Sequence, residues 1–185
     1  MLIFQLFPIS RGFTSIELMV VIAIIGLLTV LAGPQFTTLI DRWRVRSVTE
    51  SMVNSLQVAR SEAIKRGGHI GIQKLPNTTK GCQLASTNEE WGCGWIIFVD
   101  SDSNGKYKVG EEILQTVVTS ANTDVIHKSG SSSISVDRNG KMSGLNAKGF
   151  IISPATIGIS SPATRGICMA AGGRIKIIED VPCSN

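Results

Sequence analysis

Apolar residues change their spacing along this chain, and each change marks an element. From Leu18 to Ile40 there is no charged residue, and Leu18–Ala32 is almost wholly aliphatic. Such a run suffices to cross a bilayer as a helix, which takes ~20 apolar residues. Beyond it the apolar positions thin to a single stripe: Val45, Val48, Met52, Leu56, Ala59 and Ala63 recur at three- and four-residue steps. Arg42, Arg44, Glu50, Arg60, Glu62 and Lys65 fall on other faces, and Gly67-Gly68 supply a stop. The two patterns together predict one helix from about Phe13 to Arg66. It is greasy all round in its first half, amphipathic in its second, and bent at Gly33-Pro34.

After Gly68 the period shortens. Runs at His69–Leu75, Trp95–Val99, Ile113–Val118, Val125–His127, Ile134–Val136, Phe150–Ile152, Ile167–Met169 and Ile175–Ile178 read as strands, separated by Gly, Asn, Ser and Pro clusters. Ala170-Ala171-Gly172-Gly173 reads as the turn of a terminal hairpin. The amphipathic half-helix is expected to lay its stripe on one sheet. No stretch is long enough to be a linker to a second domain, and no internal repeat occurs. The fold class is therefore α+β, a long N-terminal helix packed on an antiparallel β domain.

Composition sharpens this in two places. Four cysteines, Cys82, Cys93, Cys168 and Cys183, all lie in the β region. They lack the paired spacing and histidine partners of a zinc site, and an even, scattered set fits an oxidising compartment such as a periplasm. Three pairings are possible, of which neighbours in sequence, Cys82 with Cys93 and Cys168 with Cys183, are the simplest. The net charge of +4 is modest, but its distribution is uneven. Arg138, Lys141, Lys148, Arg165, Arg174 and Lys176 follow one another with no acid between Arg138 and Ile178, while Glu89, Glu90, Asp100, Asp102, Glu111 and Glu112 crowd the middle.

Glu17 stands out because it opens the apolar run. A carboxylate at the bilayer centre costs roughly 2.5–3.5 kcal/mol on insertion scales, so one at the edge of a span invites a functional reason. Asp100-Ser101-Asp102-Ser103-Asn104-Gly105 with Glu111 matches a calcium-loop pattern. Its flanks read as strands, however, and Lys106 and Lys108 would repel the ion, so an acidic hairpin loop is the expectation and no metal ligands are assigned. His69 and His127 have no Ser, Cys or metal partner in the pattern. No phosphate loop, HExxH motif or nucleophile elbow occurs, so no catalytic residues and no cofactor are expected.

The segment Arg11-Gly12-Phe13-Thr14-Ser15-Ile16-Glu17-Leu18 resembles the leader junction of type IV prepilins and type II secretion pseudopilins. That resemblance implies a leader, 1–12, removed between Gly12 and Phe13 by a prepilin peptidase that N-methylates Phe13. It implies a membrane and assembly half-helix, 13–40, an amphipathic half, 41–66, and a periplasmic β-rich domain, 67–185. Glu17 would contact a neighbouring subunit's N-terminus; a protonated amine and a carboxylate in low dielectric offset much of each other's cost. Arg42, Arg44 and Arg46 follow the span while Arg11 precedes it, so a positive-inside count points the other way; the processing motif and the cysteines override it.

The stretch Trp91-Gly92-Cys93-Gly94-Trp95-Ile96-Ile97-Phe98-Val99-Asp100, then Asn104-Gly105 and Gly110-Glu111-Glu112-Ile113-Leu114, is similar to the FimT/FimU/GspH group of minor pilins and pseudopilins, as is Leu56–Arg66. The implied function is a structural subunit in the inner membrane and then in a fibre, with other pilins or pseudopilins as partners. Gly173-Arg174-Ile175-Lys176 resembles the Gly-Arg-x-Arg text of DNA-binding FimT-type pilins. Double-stranded DNA is thus an expected partner, held by Arg174 and Lys176 with Arg165, Lys148 and Lys141 extending the patch. The alternative is a GspH-like minor pseudopilin of type II secretion.

Overall fold

A computed structural model describes residues 12–128, 130–143, 149–169, 174–179, 181 and 183, with the side chains of 30–35 left out. Helix α1 runs Ser15–Arg66. Its start has a local cause: the Thr14 Oγ1 accepts the Glu17 N–H at 3.3 Å, and the Thr14 carbonyl accepts the first helical N–H, from Leu18, at 3.2 Å. Thr14 and Glu17 have the spacing of a capping box, and a carboxylate in the first turn suits the positive end of the helix. At the other end Gly67 and Gly68 take φ of 80° and 106°, conformations that side-chain-bearing residues resist, and the Gly68 N–H closes on the Ala63 carbonyl at 2.7 Å.

The chain divides into two compact units, up to Thr38 and from Leu39. In the first, the described side chains from Gly12 to Thr29 are all exposed, among them Ile16 (69%) and Leu27 (66%). Among the described residues no helix is long and apolar enough to cross a membrane. The expected span of 13–40 and the expected bend at Gly33-Pro34 both involve positions 30–35, whose side chains lie outside the described residues.

In the second unit, α1 continues to Arg66 and eight strands follow: β1 Ile70–Lys74, β2 Trp95–Val99, β3 Ile113–Val117, β4 Thr123–His127, β5 Ser133–Val136, β6 Phe150–Pro154, β7 Arg165–Met169 and β8 Ile175–Ile178. They form two antiparallel sheets, β3-β2-β1-β5 and β4-β6-β7-β8, and the stripe expected to lie on one sheet packs against both. The chain leaves the first sheet after β3, starts the second with β4, returns to pair β5 with β1, and completes the second with β6 to β8. Alternation within a strand reports which face is buried, not which strand lies beside it. His69, expected inside the first strand, precedes β1 with φ of 58° and sets its Nδ1 2.8 Å from the Ser103 hydroxyl. The turn expected at Ala170–Gly173 lies outside the described residues, although β7 and β8 pair antiparallel on either side of it.

One core draws on the helix and both sheets. All six stripe residues are buried, packed with Ile70, Ile72, Ile97, Ile134 and Val136 of the first sheet and Val125, Phe150, Ile152 and Ile167 of the second. Truncating such a residue, Leu56 for example, costs about 2–5 kcal/mol through lost transfer energy and the cavity left behind. The Trp95 indole N–H donates to the buried Ser55 hydroxyl at 2.9 Å, so helix and first sheet share a polar contact inside an apolar layer. Gly94 permits that seating. Its φ is 109°, and a Cβ there would sit 2.1 Å from the Val117 carbonyl oxygen.

Both disulfides join sequence neighbours, Cys82–Cys93 and Cys168–Cys183, with Cα separations of 5.5 and 5.7 Å. Loops this short restrict the unfolded chain by ~3 kcal/mol each on the chain-entropy account. The first loop is also held from below: the Lys74 ammonium donates to the carbonyls of Ala85, Thr87 and Glu90. Burial pushes the Lys74 pKa down, with Glu90 partly opposing it.

His127 is buried in β4, stacked on Phe150 at 4.6 Å and edge-on to Trp91 at 5.3 Å. Its Nδ1 lies 2.9 Å from the Ser131 carbonyl, the geometry of a neutral ring donating there. Burial lowers its pKa from the ordinary 6.5, against smaller opposing effects of that bond and of Glu89. A depressed histidine pKa means the unfolded chain binds the extra proton first. The associated stability is therefore complete above about 6.5 and is lost as pH falls toward the folded value. Denaturant melts of the full chain in detergent are expected to show stability declining below that pH. In His127→Phe the decline should be shallower; an unchanged slope would remove His127 as its source.

Candidate functional site

The junction expected to be cut is open. Gly12, Phe13 and Thr14 lie outside the helix and are exposed, Phe13 to 83%. A Cβ added to Gly12 would meet nothing within 4 Å, so packing does not require glycine there. Glu17 sits one turn further on, inside α1 and exposed, with Ile16, Leu18, Met19 and Val20 around it also exposed. Its backbone is committed to the cap, as described, and its carboxylate is offered outward. The Thr14–Glu17 spacing was readable as a capping box; the requirement for a helix start explains part of what these two residues do.

The basic residues expected to act together separate into three situations. Arg174 and Lys176 are exposed; Arg174 immediately precedes β8, the outer strand of its sheet, and Lys176 lies within it, opposite Cys168 on β7. Arg165, by contrast, is turned onto its own surroundings. It pairs with Glu179 at 3.1 Å and donates to the carbonyls of Pro162 and Thr164, leaving its side chain 27% exposed. Lys141 is exposed on the turn after β5, where the Asp137 carboxylate accepts its backbone N–H. The flanking residues Gly140 and Met142 line a cavity of about 170 Å³ together with Met169 and Ile175, so this turn lies beside the β7–β8 hairpin. Lys148 lies outside the described residues.

The acidic loop closes on itself. Carboxylate oxygens of Asp100, Asp102 and Glu111 lie within 4.8 Å of one another. Asp100, 3% exposed, accepts the N–H groups of Asn104 and Gly105 at 3.0 and 2.9 Å. Glu111 accepts those of Ser101 and Lys108, and the Lys108 ammonium stands 3.9 Å from Asp102. Backbone donors and one lysine thus already engage these oxygens, the arrangement of an acidic hairpin turn. A neighbouring link escaped sequence reasoning: Arg66, the last helical residue, bonds Glu62 and Glu112, each at 2.8 Å, tying the helix end to the approach to β3. Those two partners, Glu112 first, hold the Arg66 pKa above its ordinary value. The i,i+4 spacing to Glu62 was visible in sequence; the long-range partner was not.

A profile of the family described as type II transport protein GspH matches residues 48–173, more than half of the chain. The pilin-like protein PilA1 of Thermus thermophilus is 32% identical over 102 residues, 55% of this chain and 56% of that protein. A fimbrial protein of Pseudomonas aeruginosa is 42% identical over 72 residues, 38% of this chain and 46% of that protein. The chain spans about half the length of these curated relatives. The fold is shared with the type IV minor pilin FimU of Pseudomonas aeruginosa PAO1. One crystal form aligns with a TM-score of 0.53 and 23% identity over 72% of this chain and 91% of that one. A second aligns with the same score and 24% identity over 74% and 90%. On the family match over more than half of its length, this chain belongs to the GspH family, and its fold is similar to that of the minor pilin FimU.

Proposed function

We propose that this protein is a minor subunit of a type IV pilus. It is cut by a prepilin peptidase between Gly12 and Phe13, N-methylated on Phe13, and held in the inner membrane with its β domain in the periplasm until assembly. The observation that carries this reading is the first unit's helix: capped, exposed on every described side chain to Thr29, and carrying Glu17 as its acid. Apolar surface of that extent is costly in water and needs a membrane or like helices to cover it. A glycine that packing does not demand, in an exposed segment before the helix, suits recognition by a peptidase. Two of the relatives named above are pilin-like or fimbrial, which favours a pilus; the family's name favours the alternative, a minor pseudopilin of type II secretion.

Within the pilus reading, Arg174 and Lys176 supply a DNA contact for uptake. Arg174 immediately precedes the outer strand β8 and Lys176 lies within it; in extended backbone, residues two apart share a face at about 7 Å, close to the phosphate spacing along one DNA strand. Such contacts carry no sequence information. Arg165 is left out of the contact because Glu179 and two carbonyls already use its guanidinium.

Two measurements test the proposal. In cells, Glu17→Gln should leave the processed protein in the membrane at normal level and remove it from sheared fibres; incorporation at wild-type level would contradict the assembly role. With the full chain in detergent, Arg174→Gln with Lys176→Gln should weaken binding to a labelled duplex at least ~10-fold. It should also lower the salt slope by about 2, for two lost phosphate contacts. An unchanged slope would exclude these residues.

A further inference from the structure

The helix face opposite the core stripe carries a patch that packing does not use and that extends past the assembly half-helix 13–40. Trp43 is 69% exposed, and Leu39 and Ile40 beside it are 62% and 44% exposed. Trp43 stands two residues before Val45, which is fully buried, so it lies about 200° further round the helix and points away from the sheets. Arg42 precedes it and Arg46 follows at i+3, both exposed. Arg46 is bonded to Glu50 at 2.8 Å and Arg44 faces Asp41 at 3.9 Å. Among the described residues, no carboxylate comes within 4 Å of the Arg42 guanidinium.

The contrast with the other tryptophans is informative. Trp91 and Trp95 are fully buried, and their indole N–H groups are satisfied inside the domain, by the Ser131 carbonyl and the Ser55 hydroxyl. The Trp43 indole finds no hydrogen-bond partner among the described residues. An exposed indole flanked by arginines, three residues beyond the uncharged run Leu18–Ile40, has the composition of a membrane–water boundary. There the ring's apolar body meets the acyl region, its N–H meets headgroups, and guanidinium groups meet phosphate. A second copy packed about a twofold axis fits the patch less well, because it would bring a like pair of arginines against Arg42 and Arg46.

We propose that Arg42, Trp43 and Arg46 form an interfacial anchor that binds anionic phospholipid headgroups and fixes the depth at which the unassembled subunit waits. This rests on the membrane-anchored reading above. Passage into a fibre then exchanges lipid contacts at Trp43 for another environment.

The buried state of Trp91 and Trp95 makes the test selective. The full chain is reconstituted in vesicles of phosphatidylglycerol and phosphatidylcholine carrying lipids brominated either near the headgroup or deep in the acyl chain. Bromolipid quenching should remove roughly one third of the emission, the share of one tryptophan among three. Shallow labels should quench more than deep ones, and Trp43→Phe should abolish the effect. Arg42→Gln with Arg46→Gln should at least halve shallow quenching in the same vesicles. If the chain floats with vesicles but its emission is unquenched, equally quenched in Trp43→Phe, or quenched best by deep labels, the anchor is overturned while membrane insertion stands. If it fails to float, the membrane-anchored reading falls and takes the anchor with it.

Discussion

One helix has to place apolar surface in two different surroundings, and the rest of the molecule is organised around that constraint. From Val45 to Ala63 its apolar residues form a single stripe buried against two sheets. From Ile16 to Leu28 the large apolar residues are exposed. The stripe gives the β domain its core, and every packed feature described above leans on it: the Ser55–Trp95 bond, the seating allowed by Gly94, and the layer of Phe150, His127 and Trp91. In the proposed reading the outward residues are covered by a lipid phase or a bundle of like helices.

Much of this was legible in the sequence because periodicity is a local signal. The stripe Val45–Ala63, the stop at Gly67-Gly68 and eight strands near their observed positions follow from spacing and turn residues alone. Neighbour pairing of the cysteines was one of three possibilities, and the structure selects it. What spacing could not reveal is who pairs with whom. The return of β5 to the first sheet, beside β1, depends on contacts far apart in sequence, and so the stripe expected to lie on one sheet meets two. The same limit applies to Arg165. It looked like a free member of a basic tract, yet Glu179, just beyond that tract, bonds it across the β7–β8 pair.

For the candidate sites, the sequence located residues better than it explained them. Glu17 read as an unpaired acid with an assembly role; the structure adds that its backbone N–H is capped by the Thr14 hydroxyl in the first helical turn, where a carboxylate also suits the positive helix end. A cap alone does not explain the exposed, sterically undemanding Gly12 before it, nor the length of bare apolar helix after it. The acidic loop is the converse case. Its pattern suggested an ion, and its geometry shows carboxylates engaged by the turn's own N–H groups and Lys108.

The central claim is that the outward-facing helix begins life behind a leader and is released for assembly by one cut. Peptide mapping of the native chain from cells with an active peptidase tests it most directly. The account predicts an N-terminal peptide starting at Phe13 and heavier by one methyl group. Peptides running unbroken across Gly12 and Phe13 as the main species would contradict it.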